Sequence, residues 1–536
     1  MKDMNNSTFL LALILFINAI KPVSACTTLI VGKNATLEGK TIIARTSDTI
    51  DARRAKNLKI YYEKDSSKSY IGLPYWDLED DEKNDMSQVT TNVNGVSLSA
   101  TETIRSNEKV LALDPPAYSQ KGIAEPNIPG LVMPFATTAR EAVDILGKAI
   151  ENRGIAKTGF GVLFADKREA WYLETLSGHQ WVAIKIPDDV YFVAANGPGQ
   201  IQAYSPTEYQ YKFSLFNGKT PIEFAIENEI AQTTNLKIFD FRKTFADIKN
   251  PRNPKKNYVR VAYLQHHFNP SSQLFDLETI NKGTFPIFLK PEKKISVNDV
   301  QSILTSHYQE YSDIDPYHDY NKDINQNDSY RSIATLNTSN AHVTLVDNNL
   351  MDTDVNINNL EYIALGMPTI SFYLPIYFGI TKVPDSLDGA TDKADLENEK
   401  LFWQFRKLQT LVFLSDPEKN ILFNPQKSES IIQEKYKALA KEVEQDRLLM
   451  EADYKQNKSR TIINNFTKNT VNKLSKLNGQ LIQSLMERLD INAKYKLQDE
   501  QERANWFTAK VREQECHFKP AHCKKDTKTL NVHENA

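Results

Sequence analysis

Between residues 161 and 195 four short segments follow one another with little between them: Gly161 to Asp166, Glu169 to Thr175, Gln180 to Ile186 and Val190 to Ala195. Each has the length and the β-branched and aromatic content of a strand. The polar turns between them are only two to four residues long. A parallel connection needs about a dozen residues or more, so the spacing predicts an antiparallel meander. Two earlier segments, Thr27 to Val31 and Thr41 to Arg45, flank the stretch GKNATLEG, whose glycines and asparagine suit a hairpin loop. Gly95 to Ile104 is a further expected strand.

Helices come between and after these strands. Thr138 and Glu141 form a capping-box pattern ahead of Ala142, Val143, Ile145, Leu146, Ala149 and Ile150, which recur at helical spacing. Ser430 and Gln433 open a charged helix with Ile432, Tyr436, Leu439 and Val443 on one face. Ile463, Phe466, Leu474, Leu477, Leu481 and Leu485 predict a second helix, antiparallel to the first. The charge-dense stretch from Glu429 to Glu513 reads as the solvated face of packed helices rather than as a partner-binding surface. Antiparallel sheets with helices on their outer faces make a layered α+β protein.

Charge narrows the function. The 536 residues carry 65 basic and 68 acidic side chains, a net charge of -3. With no basic excess to neutralise phosphates, nucleic acid is not an expected partner. At the N-terminus, Met1-Lys2 precedes an apolar run from Phe9 to Ile20, broken only by Asn18. That run is shorter than the roughly 20 residues a spanning helix needs. Lys21-Pro22 ends it, and Val23-Ser24-Ala25 supplies small residues before Cys26. Residues 1–25 therefore read as a signal peptide cleaved after Ala25, which predicts an exported protein, periplasmic or secreted, with no stable membrane span.

Only three cysteines are present. Cys516 and Cys523, in CHFKPAHC, are expected to form a disulfide in an oxidising compartment. A metal site using them with His517 and His522 is the alternative, but four ligands in so short a run match no common zinc spacing. Cys26 is the odd thiol and needs its own explanation.

Cleavage after Ala25 gives Cys26 an α-amine beside its thiol. The thiol alone, with an ordinary pKa of about 8.5, is mostly protonated at neutral pH. The amine, ordinarily about 7.7 to 8.0, is a base already held next to it. One residue would then supply nucleophile and base. A cation beside the thiol and an acceptor beside the ammonium would complete the arrangement, and Arg45 and Asp48, at the end of the returning strand, are candidates. A plain surface ion pair is the bland alternative for those two.

The segment CTTLIVGKNATLEGKTIIARTSD resembles the start of secreted dipeptidases of the dipeptidase A type, N-terminal-nucleophile hydrolases related to choloylglycine hydrolases and penicillin V acylases. VNGVSLSATETIRSN (Val93 to Asn107), GVLFADKREAWYLETLSGHQWVAIKIPDDVYFVAAN (Gly161 to Asn196), HYQEYSDIDPY (His307 to Tyr317), NAHV (Asn340 to Val343) and ALGMPTISFYLPIYFGITKVP (Ala364 to Pro384) extend it in order. The resemblance implies a four-layer αββα sandwich of two antiparallel sheets over residues 26–415. A helical C-terminal region would follow over 416–536. It implies hydrolysis of dipeptides with Cys26 as nucleophile, flanked by Arg45 and Asp48, and with the Asn196 side-chain amide facing the oxyanion. It implies no cofactor. The Cys26 to Arg45 gap is longer than in the bile-salt enzymes, a difference for the hairpin loop to absorb.

A dipeptide also brings an ammonium and a carboxylate. Glu102, where the relatives vary with substrate, and Arg331 are candidates to read them; the alternatives are a solvent-facing strand residue and a loop residue. His179 and His342 read as hydrogen-bonded structural residues, and no cluster at ligand spacing predicts a catalytic metal. Small peptides are the expected partners, and an oligomer is compatible with the sequence. Two other readings compete. One is an N-acyl amino acid amidase or acylase using the same nucleophile. The other is a lipoprotein anchored through Cys26, disfavoured because Lys21-Pro22 separates the apolar run from the cysteine and a strand begins at once at Thr27.

Overall fold

The strand that begins at Cys26 sets the layout. β1 (Cys26–Val31) and β2 (Thr41–Asp48) form the expected hairpin in unbroken register, and every residue of both is buried. The computed structural model describes residues 26–49, 51–61, 69–74, 87–119, 121–231, 239–317, 329–352, 354–394, 400–414 and 431–518. The leader, Ser430 and Cys523 lie outside them.

The expected meander is present in β7 (Gly159–Ala165), β8 (Ala170–Thr175) and β9 (Trp181–Ile186). Its fourth member behaves differently. β10 (Tyr191–Ala195) pairs with β1 rather than with β9. The turn before it is captured by the loop of the first hairpin: Gly32 N donates to Val190 O at 2.9 Å and Asn34 N to Asp188 O at 2.8 Å. These bonds carry the chain from one sheet to the other.

β12 (Thr338–Val346), β13 (Leu360–Leu365) and β14 (Leu374–Tyr377) complete an antiparallel sheet in the order β10-β1-β2-β12-β13-β14. The second sheet adds β3 (Lys59–Tyr61), β4 (Tyr70–Pro74), β5 (Ser87–Asn92), β6 (Ser97–Ile104) and β11 (Tyr211–Phe213), in the order β11-β9-β8-β7-β6-β5-β4-β3.

Side-chain alternation along the strands builds the layers. Ile30, Ile43 and Val346 of the first sheet cluster with Leu163, Tyr172, Val182 and Ile184 of the second, between the sheets. Val162, Phe164, Trp171 and Leu173 point the other way and meet Ala142, Val143, Leu146 and Ile150 of α1 (Ala139–Arg153). On the opposite outer face, Leu29, Val31, Ala44 and Val343 share a cluster with residues of α2 (Val259–Phe268), α3 (Val297–Leu304) and α4 (Leu401–Leu414). The result is an αββα sandwich. At the start of α1, Thr138 Oγ1 accepts from Glu141 N at 3.1 Å, but the returning carboxylate accepts from Thr137 N at 2.9 Å, one residue upstream of the expected box.

The C-terminal helices are α5 (Ile431–Asn457), α6 (Arg460–Arg488) and α7 (Glu500–Phe518). Their apolar residues, among them Ile432, Tyr436, Leu439, Ile463, Leu474 and Val511, belong to the same cluster as α2 to α4. Cys516 on α7 is disulfide-bonded. Among the described residues no helix is long and apolar enough to cross a membrane.

One buried acid gives this fold a pH dependence. Glu361, opposite Thr344 in the first sheet, has a buried Oε1 with no hydrogen-bond partner among the described residues. Burial pushes its carboxyl up to about 8. A pKa raised on folding stabilises the protein below the unfolded value of about 4.3, and that contribution is lost as pH rises through the folded value. The Glu361→Gln variant is therefore expected to match the parent at pH 4. At pH 9 it should exceed the parent by on the order of 4 kcal/mol, read as denaturation midpoints. Equal differences at both pH values would contradict this.

Candidate active site

The two neighbours of β1 bring different chemistry to its first residue. Ala195 pairs with Thr27, so Asn196, the next residue, falls beside Cys26. On the other side Arg45 pairs with Thr28, and on a twisted antiparallel pair its long side chain reaches diagonally to the same residue. Cys26 N donates to Asn196 Oδ1 at 2.5 Å, and Arg45 Nη2 donates to Cys26 Sγ at 2.9 Å. Cys26 and Arg45 are both buried, at 0% and 1% exposure. The guanidinium sets a positive charge directly against the sulfur. The same Arg45 Nη2 forms an ion pair with Glu125 Oε1 at 2.7 Å.

Asp48 is placed otherwise. Its Oδ1 accepts from Thr338 Oγ1 at 2.7 Å, and its Oδ2 forms an ion pair with Arg331 Nη2. The acceptor at the Cys26 nitrogen is thus an amide oxygen, that of Asn196, while the carboxylate two places from Arg45's neighbour Thr46 holds Arg331. Glu102 lies on β6 opposite Phe160, in the second sheet. His342 pairs in register with Arg45 and bridges the sheets, its Nε2 2.9 Å from Ser99 Oγ and its Nδ1 3.2 Å from Thr344 Oγ1. Burial, then the nearby Arg45, depresses its pKa to about 3, so it stays neutral. His179 is held by Asp114 at 2.7 Å and stacks on Phe216.

Sequence reasoning missed Arg260. From the first turns of α2 its Nη1 donates to Cys26 O at 2.5 Å and Thr27 Oγ1 at 2.9 Å. Its Nη2 donates to Asn196 Oδ1 at 3.2 Å and Asn257 Oδ1 at 3.1 Å. One planar fork thereby fixes both Cys26 and the side chain beside it. Burial, then repulsion from Arg331, lowers its pKa to about 10, which leaves it charged at neutral pH. The signal was a lone arginine inside the apolar helical run YVRVAYL.

The loop after Asn196 is clamped from two sides. Gly197 has φ +111°, and a Cβ there would sit 2.4 Å from Asn257 Nδ2, so only glycine fits. Glu174, fully buried on β8, accepts from Gln200 N at 2.8 Å and Ile201 N at 3.1 Å. Burial raises its carboxyl to about 7. Among the described residues no group of three or more His, Cys, Asp or Glu side chains gathers to hold a metal ion.

An αββα sandwich with a cysteine at the head of an inner strand, a guanidinium on its sulfur and an amide oxygen on its nitrogen has the layout of the N-terminal-nucleophile hydrolases. The sequence profile of peptidase family C69 matches residues 25–416. A "Probable dipeptidase" of Salmonella dublin is 37% identical over 374 residues, covering 67% of this chain and 82% of the relative. A "Probable dipeptidase" of Latilactobacillus sakei is 31% identical over 411 residues, covering 73% and 81%. "Probable dipeptidase B" of Lactococcus lactis subsp. lactis is 28% identical over 402 residues, covering 71% and 79%. The chain belongs to peptidase family C69, and is a hydrolase of the cysteine-peptidase type.

Proposed function

We propose that this chain is an exported dipeptidase whose mature form begins at Cys26. The observation that carries the reading is the provision for each heteroatom of that one residue: Arg45 for the sulfur and Asn196 for the nitrogen. The dipeptidase names of the relatives support the substrate class.

In this mechanism the α-amine of Cys26 takes the thiol proton and the thiolate attacks the peptide carbonyl. Charge gathers on the carbonyl oxygen, where the amide group of Asn196 donates; one such donor is worth about 3 kcal/mol of barrier. The ammonium passes its proton to the leaving nitrogen, the C–N bond breaks and a thioester forms. The second amino acid leaves. Water, losing a proton to the same amine, then attacks the thioester, releases the first amino acid and regenerates the thiol. Arg260 touches Cys26 O and Asn196 Oδ1, and so sets the distance between nucleophile and oxyanion donor. Arg331, held by Asp48 and 17% exposed, is the candidate for the substrate carboxylate.

A panel of dipeptides assayed beside N-acyl amino acids tests the reading. Release of two amino acids from dipeptides is expected; turnover confined to N-acyl substrates would overturn it. The processing step has its own test. A chain purified with Ala25 still attached is expected to be at least about 10²-fold slower, since an amide nitrogen cannot serve as the base. Intact mass should show a mature chain starting with an unmodified Cys26, whereas added acyl chains would point to an anchor.

A further inference from the structure

We propose that Glu125 is the receptor for the ammonium group of the substrate's first residue. The inference rests on the dipeptidase reading and assigns one end of its substrate.

The argument starts from the distance between the reacting carbon and the charge. In a dipeptide the ammonium nitrogen and the scissile carbonyl carbon share one Cα, which holds them about 2.5 Å apart. Whatever recognises the ammonium must therefore lie close to the attacking sulfur. Glu125 Oε1 is 2.7 Å from Arg45 Nη2, which is itself 2.9 Å from Cys26 Sγ. Because both contacts share Arg45 Nη2, the carboxylate oxygen stands at most two hydrogen-bond lengths from the sulfur, close enough to reach the ammonium of a residue whose carbonyl carbon meets that sulfur.

Exposure agrees with this. Arg45 is 1% exposed, whereas the side chain of Glu125 is 10% exposed. Glu125 is the more exposed member of the pair. It is mounted on a short, stiff segment. Ala124 N donates to Asn127 Oδ1 at 3.1 Å, Pro126 fixes the next φ, and the turn Glu125–Asn127 runs directly into the helix Ile128–Val132. That segment packs beside β5 and β6, so the carboxylate arrives from the second sheet, whereas Arg260 and Asn196 arrive from the first.

Charge gives the placement a purpose. An acid bonded to the guanidinium that supports a thiolate draws on the same positive charge. A carboxylate has about four acceptor sites, enough for Arg45 and an ammonium together. An arriving ammonium shares the carboxylate and leaves more of the Arg45 charge to the sulfur. An N-acylated substrate has no cation to offer, so it displaces water from Glu125 and adds no charge to the Arg45 pairing in return. The site then favours substrates with an unblocked first residue.

The test compares the mature parent with Glu125→Gln and Glu125→Asp on alanyl-alanine and its N-acetyl form. For Glu125→Gln the KM for alanyl-alanine is expected to rise about 10- to 100-fold, as for loss of a charged hydrogen bond, with kcat changed by much less. The preference for alanyl-alanine over its N-acetyl form should fall at least about tenfold, and Glu125→Asp, which keeps the charge, should lie between. The pH dependence of Cys26 alkylation by iodoacetamide separates a role confined to Arg45. If Glu125→Gln shifts that dependence and slows both substrates alike, or leaves the KM for alanyl-alanine unchanged, the assignment fails. A parent that hydrolyses no dipeptide overturns the dipeptidase reading, and this proposal with it.

Discussion

Cys26→Ala is expected to lose at least about 10⁴-fold in dipeptide turnover, the scale on which removal of a covalent nucleophile acts. The variant keeps its α-amine, its backbone contacts to Asn196 and Arg260 and its place at the head of β1. What it loses is one sulfur atom from a fully buried position. The resulting void is small, and a stability cost near 1 kcal/mol is expected from the missing contacts. Far-ultraviolet circular dichroism and the denaturation midpoint should therefore stay close to those of the parent while activity disappears. Cys26→Ser should recover a trace of turnover, because a hydroxyl needs more help to ionise than a thiol. Hydrolysis at the parent rate by Cys26→Ala would remove Cys26 from the chemistry.

Arg260→Met is the second large effect. Methionine keeps an unbranched apolar stem and has no donors. Cys26 O, Thr27 Oγ1, Asn196 Oδ1 and Asn257 Oδ1 each lose the guanidinium as a donor. Removing one member of a buried charged network costs about 3 to 5 kcal/mol, and stability should fall by an amount of that order. Activity should fall further than stability accounts for, by about 10²- to 10³-fold, because displacing an oxyanion donor costs that much. Arg260→Lys offers a point charge in place of a fork and should be intermediate in both. Dipeptide kinetics at a temperature where the variant is fully folded separate the two effects. A kcat/KM within threefold of the parent for folded Arg260→Met would contradict the role.

The β1–β2 hairpin was legible because both strands and their loop are local in sequence, and with it came the contact between Arg45 and Cys26. The departure of β10 from the meander was not, since it depends on bonds from Gly32 and Asn34 to a turn far along the chain. β12 was harder still. Its His342 faces Arg45 only through a register that no local pattern specifies. For the same reason Asp48 looked like the partner of the terminal nitrogen. It is near in sequence, but Arg331 and Thr338, distant in sequence, engage it, and Asn196 takes that place. Arg260 did leave a trace, a charge in an apolar helix, whereas Glu125 sits in a turn whose composition says nothing of Arg45.

The sulfur, its guanidinium, the amide oxygen at its nitrogen and the fork that links them come from four separated stretches of polypeptide on two sides of one strand. A translation product that stops before Arg260 lacks one of the four, although all of them lie in the first half of the chain. The hydrolysis proposed for this site is therefore expected to appear only once these four stretches have folded against one another, and to be silent in a nascent chain that has not yet reached α2.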